Sequence, residues 1–192
     1  GIDIDATNDV TVAGTLTTSD GGTALDIDID AGNEFTLSSG GIDSDNDVFI
    51  TATANDVNLA AGLTADNEVT IISTSGSVLQ TAGNILATDD VNIDAAASSQ
   101  KIDLAGTIGA TTAIGGNVII GQSVNTSDVE IDGAITADGS IVVDGTTITA
   151  TANISSDANT DATGDVDFGA TGAISQTRSE EHTSELQSPD HL

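Results

Sequence analysis

A short pattern recurs about eight times between Gly1 and Thr177. Each unit has a triplet with apolar first and third residues, a polar break, a second triplet and, in most units, a glycine followed two residues later by an apolar residue. The first triplets start at Ile2, Ile27, Val48, Val69, Val91, Val118, Ile141 and Val166. A repeat of this length is typical of an array in which each unit buries its apolar face only by stacking on its neighbours.

The pattern within each unit predicts strands. Apolar and polar residues alternate over three to five positions, and no segment keeps a 3.6-residue period over the length of a helix. The glycine after the second triplet, as at Gly83 and Gly106, suits a corner that needs positive φ or close approach to the next coil. We therefore predict an all-β parallel β-helix (β-solenoid) of about eight coils, each of 21–27 residues. With coils about 4.8 Å apart, the rod would be roughly 38 Å long.

Two placements follow from the same pattern. The segment Gly172-Ala173-Ile174 has the glycine-first form and is assigned to the third element of the last coil. The three phenylalanines, Phe35, Phe49 and Phe168, fall within triplets and are predicted to occupy core positions.

Two other states are compatible with parts of the sequence. An antiparallel sandwich also uses short strands separated by turns, but the Asp-Gly and Asn-Gly pairs that mark hairpins are scarce here. High net charge and a hydrophobic content of only 38% are typical of disordered chains. However, Val and Ile concentrate at alternate positions of the triplets, and a thin column of stacked aliphatic side chains needs few aromatic residues. The regular spacing therefore favours the solenoid.

Residues 178–192 do not continue the repeat. The run RSEEHTSELQS at 178–188 resembles the translation, in one reading frame, of a common sequencing adapter. We therefore divide the chain into a solenoid segment, 1–177, and a non-native, disordered tail, 178–192. Because Gly1 opens inside a triplet, we expect residues 1–177 to be a piece of a longer protein.

The charge of residues 1–177 restricts the partners. This segment has 27 acidic residues against one base, Lys101, and therefore a formal charge of −26. A phosphate backbone is bound through Lys and Arg, so nucleic acid is excluded as a partner. No apolar run is long enough to predict a membrane span in this fragment.

The recurring Val-x-Ile and Ala-Gly-x-Ile units, as in Ala105-Gly106-Thr107-Ile108, resemble the repeats of filamentous-haemagglutinin-type adhesins and other large bacterial surface β-solenoids. The resemblance covers nearly all of residues 1–177. It implies a right-handed parallel β-helix in a secreted or outer-membrane-attached protein of the cell surface. It also implies that the segment stacks on adjacent repeats of the same parent chain and contacts host or environmental glycans or proteins. On this basis we expect a non-catalytic structural or adhesive segment.

Carboxylates are the abundant chemical groups of this chain, and one run suggests a metal. Asp43, Asp45 and Asp47 alternate as the oxygen ligands of a calcium loop do. Val48 and Ala54 stand where an EF-hand requires its turn glycine and its bidentate glutamate. Calcium at Asp43, Asp45 and Asp47 is therefore the one cofactor candidate, and a solvated acidic corner is the alternative. A calcium-stabilised acidic spacer is an alternative function for the whole segment.

The β-helix part of a polysaccharide-acting enzyme is another alternative. A hydrolase needs two carboxylates, for which Asp89 with Asp90, or Asp165 with Asp167, can be proposed, and a lyase base could come only from Lys101. Both acid pairs fit corners or outward strand positions, so we expect no catalysis. Thr-x-Thr runs such as Thr147-Ile148-Thr149 do not recur on every coil, which argues against an ice-binding face.

Overall fold

The structure is a computed structural model, and it describes residues 1–19, 24–110, 112–122, 128–156, 158 and 164–177. Within these ranges the strands form three parallel sheets and no helix is present. The chain is thus an all-β parallel β-solenoid, as the repeat predicts, with about seven turns where the sequence indicates about eight coils. The predicted non-native tail, 178–192, lies outside the described residues.

Strands are numbered along the chain, and successive strands of one sheet come from successive coils. The first sheet contains β1 (Ile2–Ala6), β4 (Ile27–Ala31), β7 (Val48–Ala52), β10 (Val69–Ser73), β13 (Val91–Ala95), β16 (Val118–Ile120), β19 (Ile141–Gly145) and β22 (Val166–Ala170). The second contains β2 (Val10–Val12), β5 (Phe35–Leu37), β8 (Val57–Leu59), β11 (Val78–Gln80), β14 (Lys101–Leu104), β17 (Asp128–Ile131), β20 (Thr147–Ala150) and β23 (Ile174–Gln176). The third contains β3 (Thr15–Thr17), β6 (Gly41–Ser44), β9 (Leu63–Ala65), β12 (Asn84–Ala87), β15 (Thr107–Ile108), β18 (Ile135–Thr136) and β21 (Ile154–Ser155).

Equivalent residues of neighbouring coils lie in register. Ile2 of β1 pairs with Ile27 of β4, and the pairing continues to the ends of both strands. Because side chains alternate between the two faces of a strand, Ile27 and Ile29 are fully buried while Asp28 and Asp30 are exposed. The register therefore stacks apolar residues into inward columns and polar residues into outward columns.

The inward columns form one continuous core of aliphatic side chains. Val48, Ile50, Val69 and Ile71 are each fully buried, and Phe35 is the largest buried side chain. Burying a Val or Ile side chain contributes about 1.5–3 kcal/mol. The core thus extends along the rod, and each coil covers the apolar surface of the next.

The corner between the second and third sheets depends on glycine, as predicted. Gly40 and Gly83 have φ values of 81° and 88°, in the left-handed region that favours glycine. At Gly133 a Cβ atom would lie 1.6 Å from the carbonyl oxygen of Gly106 in the preceding coil. At Gly14, in the first coil, a Cβ atom would have nothing within 4 Å. Glycine is therefore required by positive φ at Gly40 and Gly83, and by the close approach of the preceding coil at Gly133.

The predicted placement of Gly172-Ala173-Ile174 is wrong. Ile174 lies in β23 of the second sheet, where it pairs with Ile148 of β20. It follows Val166 by eight residues, as Val10 follows Ile2. That spacing identifies a second-sheet strand, because the corner between the first and second sheets has the same length in the first and last coils.

One of the three phenylalanine placements is also wrong. Phe35 is fully buried and Phe168 packs against the core. Phe49 is the middle residue of its triplet and is half-buried on the outer face of β7. Its flanking residues, Val48 and Ile50, take the inward positions, and strand alternation therefore turns Phe49 outward.

Candidate functional site

The predicted calcium residues lie around the corner between β6 and β7. Asp43 is exposed on the outer face of β6, and Asp45 and Asp47 are half-buried in the turn that follows. Ser44, which is buried, has its Oγ 2.8 Å from the carbonyl oxygen of Leu25 and 2.9 Å from that of Asp47. The buried hydroxyl of Ser44 therefore contacts this turn from the inside, while the acidic side chains lie on its outer side.

The carboxylate of Asp47 accepts hydrogen bonds from two coils. Its Oδ1 accepts from Asn67 Nδ2 at 2.7 Å and from the backbone N–H of Glu68 at 3.0 Å, and its Oδ2 accepts from Asn46 Nδ2 at 3.1 Å. In the described part of the chain, no group of three or more His, Cys, Asp or Glu side chains is arranged to hold a metal ion. Calcium binding at Asp43, Asp45 and Asp47 stays a prediction, and Asp47 has a structural role beside it.

Asp47 belongs to a set of residues that we name the corner ladder: Asp26, Asp47, Asp90, Asn117 and Ser140. Each precedes a strand of the first sheet, and its side-chain oxygen accepts the backbone N–H of the equivalent residue in the next coil. The N···O distances are 3.4 Å from Asp26 to Asp47, 3.0 Å from Asp47 to Glu68, 2.6 Å from Asp90 to Asn117, 2.9 Å from Asn117 to Ser140 and 3.3 Å from Ser140 to Asp165. These polar residues therefore connect successive coils at the surface, where hydrogen bonds to backbone N–H groups complement the apolar columns inside.

The acid pairs considered for hydrolysis lie on the outside of the rod. Asp90 is a member of the corner ladder, and its neighbour Asp89 is exposed. Asp165 and Asp167 are both exposed on the last coil. Each pair thus occupies the corner or outward strand position that the sequence indicates, and the absence of catalysis stays a prediction.

The outer face of the first sheet is acidic in its first two coils. Asp3 pairs in register with Asp28, and Asp5 pairs with Asp30. Partial burial, followed by the charges of Asp30, Asp3 and Asp26, raises the pKa of the Asp28 carboxyl above its usual value. Like charges on adjacent strands repel, so this end of the face is under electrostatic strain at neutral pH.

Lys101 lies on the outer face of the second sheet. Its Nζ is 2.8 Å from Asp103 of the same strand and 2.5 Å from Glu130 of the next coil. Hydrogen bonds to these two carboxylates raise the pKa of Lys101 above its usual value. Lys101 is therefore a cation paired with two acids, unlike the proton-accepting amine that a lyase base requires.

Further along the first sheet, the outer face contains a shallow groove of about 320 Å³ between β10, β13 and β16. We name it the outer groove, and its outward-facing lining residues are Thr70, Ile72, Asn92, Asp94, Ile119 and Gln122. Two isoleucines supply apolar surface, and the other four residues supply hydroxyl, amide and carboxylate groups. The groove therefore combines apolar surface with a larger number of hydrogen-bonding groups that a small polar ligand can contact.

Two neighbouring residues complete the outer groove. Glu68 Oε1 accepts a hydrogen bond from Thr70 Oγ1 at 2.6 Å and another from Asn92 Nδ2 at 2.8 Å, which holds both polar side chains in place. Phe49 precedes Thr70 in the same outward column, since the two residues pair in register between β7 and β10. The groove therefore has oriented polar groups within it, and Phe49 lies next to it, one strand before Thr70.

Sequence reasoning did not find the outer groove. Its residues come from three coils, and the distances along the chain between equivalent residues vary from 21 to 27. The sequence did contain one signal for an apolar patch on the outer face. At the middle triplet positions, Phe49, Ile119 and Val142 replace the acids of the first two coils.

Comparisons with protein-family models, with curated proteins and with solved structures gave no match to this chain. Among the described residues, no helix is long and apolar enough to cross a membrane.

Proposed function

We propose that this chain is a non-catalytic, adhesive repeat segment of a large exported bacterial surface protein. One observation carries the proposal: the inward columns are uniform while the outward columns change from coil to coil. In the first sheet the inward residues of successive triplets are Val or Ile, with Phe168 as the exception. The paired outward column reads Asp3, Asp28, Phe49, Thr70, Asn92, Ile119, Val142 and Asp167. A constant core that carries a variable surface is the arrangement expected of a scaffold for recognition.

The outer groove is the part of this surface that best fits a ligand, and its chemistry favours a glycan. The ring of Phe49 and the side chains of Ile72 and Ile119 offer apolar surface to the C–H faces of sugar rings. Thr70 and Asn92 offer oriented hydrogen-bonding groups to hydroxyls. The acidic net charge of the chain, −29, favours neutral over anionic glycans.

The test uses the full chain and a glycan array, followed by biolayer interferometry on the sugars that bind. Phe49→Ala and Asn92→Ala should each reduce affinity by about tenfold or more, since each removes a contact worth roughly 1.4 kcal/mol. Leu79→Ala is the matched control, because Leu79 is also a half-buried, outward-facing middle residue, on the second sheet. The Leu79→Ala variant should bind the same sugars with the affinity of the unaltered chain.

Two outcomes would contradict the proposal. Binding that is equally reduced by Leu79→Ala would show that the outer groove does not select the ligand. Release of reducing sugar from a bound polysaccharide would assign the chain to the β-helical enzymes instead.

A further inference from the structure

The hydrogen bonds of Glu68 determine which groups the outer groove offers to a ligand. Thr70 Oγ1 donates to Glu68 Oε1 at 2.6 Å. A hydroxyl has a single hydrogen to donate, so the Thr70 oxygen is left as an acceptor. Asn92 Nδ2 donates to the same carboxylate oxygen at 2.8 Å, which engages one of the N–H groups of its amide. Glu68 therefore takes up donors of the lining and leaves two acceptors, the Thr70 oxygen and Asn92 Oδ1.

Asp94 adds a negative charge to these acceptors. It follows Asn92 by two residues on the outward face of β13, and it lines the groove as a half-buried side chain. An ionised carboxylate accepts hydrogen bonds at about four lone-pair sites, so Asp94 can accept from a ligand as well as from the protein. The donors of the lining come from the amides of Asn92 and Gln122. A ligand that mainly donates hydrogen bonds therefore complements this groove.

No basic side chain of the described chain neutralises the acidic groups of the groove. Lys101 lies on the second sheet, where it is paired with Asp103 and Glu130. Glu68 beside the groove and Asp94 within it are therefore acids without a basic side chain close by. A hydrogen bond between a cationic donor and a carboxylate is roughly twice as strong as one between neutral groups. An ammonium group on the ligand thus fits both the charge and the hydrogen-bonding groups of the groove.

We infer that the outer groove selects a sugar that carries a free amino group, as a glucosamine unit does when its nitrogen is not acetylated. This inference rests on the proposed glycan-binding function. The ammonium of the sugar donates to the Asp94 carboxylate, and its hydroxyls donate to Thr70 Oγ1 and Asn92 Oδ1. Ile72 and Ile119 contact the C–H groups of the ring. N-acetylation replaces the ammonium by a neutral amide with one N–H, and so removes the charged hydrogen bond to Asp94.

The test compares two ligands of the full chain by isothermal titration calorimetry. One is a chitosan-type trisaccharide with free amines, and the other is the chitin-type trisaccharide, in which every nitrogen is acetylated. At about pH 6 an amine comparable to an α-amino group, with a pKa of roughly 7.7–8.0, is protonated. In about 0.15 M NaCl the Debye length is about 8 Å, so distant acids of the rod contribute little. We expect the free-amine form to bind about tenfold more tightly or better, since a hydrogen bond to a charged group supports a change of that size.

Two substitutions separate the charge of the groove from the charge of the rod. Asp94→Asn keeps the size of the side chain and removes its charge. It should lower the affinity for the free-amine form about tenfold, while unchanged affinity for the acetylated form reports that the groove is still folded. Asp5→Asn is the matched control, because Asp5 lies in the same outward column as Asp94, four register steps and roughly 19 Å away. It changes the net charge equally and should leave both affinities unaltered.

The outcomes distinguish this inference from the function on which it rests. Equal affinity for the two trisaccharides, or binding of other sugars only, would overturn the amino-sugar preference and leave the glycan-binding function standing. Binding to no sugar at all would overturn both. The preference also fails if Asp5→Asn weakens binding of the free-amine form as much as Asp94→Asn does. It fails as well if trilysine binds as tightly as that trisaccharide, because positive charge alone would then govern binding.

Discussion

The first and second coils contain the same pentapeptide in different surroundings. Strands β1 and β4 both read IDIDA, yet the isoleucines of β4 are fully buried and those of β1 are half-buried. The outward aspartates differ less, since they face solvent in both strands. Because the local sequence is identical, the difference in burial comes from the number of neighbouring coils. Stability in this rod is therefore a property of the contacts between coils, as in other repeat arrays.

The largest effect in the comparison of interior and end coils is expected at the glycine corners. Gly133→Ala would place a Cβ atom 1.6 Å from the Gly106 carbonyl oxygen, and the coils would have to separate. We expect the free energy of unfolding to fall by more than about 4 kcal/mol. Gly14→Ala, at the equivalent corner of the first coil, should change it by less than about 0.5 kcal/mol. Urea denaturation followed by circular dichroism measures both, and equal losses would contradict the dependence on a neighbouring coil.

A smaller difference is expected within the identical pentapeptides. Ile29→Ala removes a fully buried side chain and should cost about 2–5 kcal/mol of unfolding free energy. Ile4→Ala removes its register partner in β1, which is half-buried, and should cost about 1–2 kcal/mol. The same denaturation experiment compares them. If Ile4→Ala were as costly as Ile29→Ala, the first coil would be covered by another surface in solution.

The acidic face provides an electrostatic comparison of these two strands. Asp28→Asn should stabilise the chain by about 0.5–1 kcal/mol at neutral pH and low salt, because it removes like charges opposite each other on adjacent strands. The gain should shrink in 1 M NaCl, where the Debye length is about 3 Å.

The pH dependence of the same variant has a defined sign. The pKa of Asp28 is raised in the folded chain, so folding favours its protonated form. Its destabilising contribution is therefore present at neutral pH and disappears as the pH falls through the folded pKa towards the usual value of 3.8. Thermal melts of the unaltered chain and of Asp28→Asn should converge over that range. A difference in melting temperature between the two chains that stays constant down to pH 3.8 would contradict a raised pKa at Asp28.

The smallest expected effect is that of calcium at the corner between β6 and β7. If Asp43, Asp45 and Asp47 bind calcium, a concentration equal to the dissociation constant stabilises the fold by about 0.4 kcal/mol. Melting temperatures in calcium chloride should then exceed those in sodium chloride of equal ionic strength. Asp43→Asn is the informative variant, because Asp43 is exposed on the outer face, whereas Asp47 connects two coils. An unchanged melting temperature would contradict calcium binding and favour the alternative, an acidic corner that is only solvated.

Much of the fold could be predicted from the sequence, because the strand period and the repeat of the triplets are both local signals. The columns of Val and Ile and the glycine corners at Gly40 and Gly83 follow from them directly. Ile174 was misassigned because its glycine-first segment imitates the third element, and only the spacing from Val166 separates the two.

The surface was harder to predict, because its contacts depend on register. The corner ladder joins residues such as Asp90 and Asn117, which are 27 positions apart, and no local pattern pairs them. The orientation of Asn92 by Glu68 likewise depends on which residues of adjacent coils meet. Phe49 lay within reach of sequence reasoning, since the middle position of its triplet already indicates an outward side chain.

The corner ladder also has a mechanical consequence for a protein that is pulled at its two ends. Its hydrogen bonds, like those of the three sheets, run from coil to coil, and a load along the rod stretches them one interface at a time. Each coil that detaches would release 21 to 27 residues, or roughly 75–95 Å of extended chain. In single-molecule stretching this should appear as a sawtooth of force peaks whose spacings match these released lengths. A rod of this kind would lengthen in steps under load and limit the tension that reaches whatever it holds.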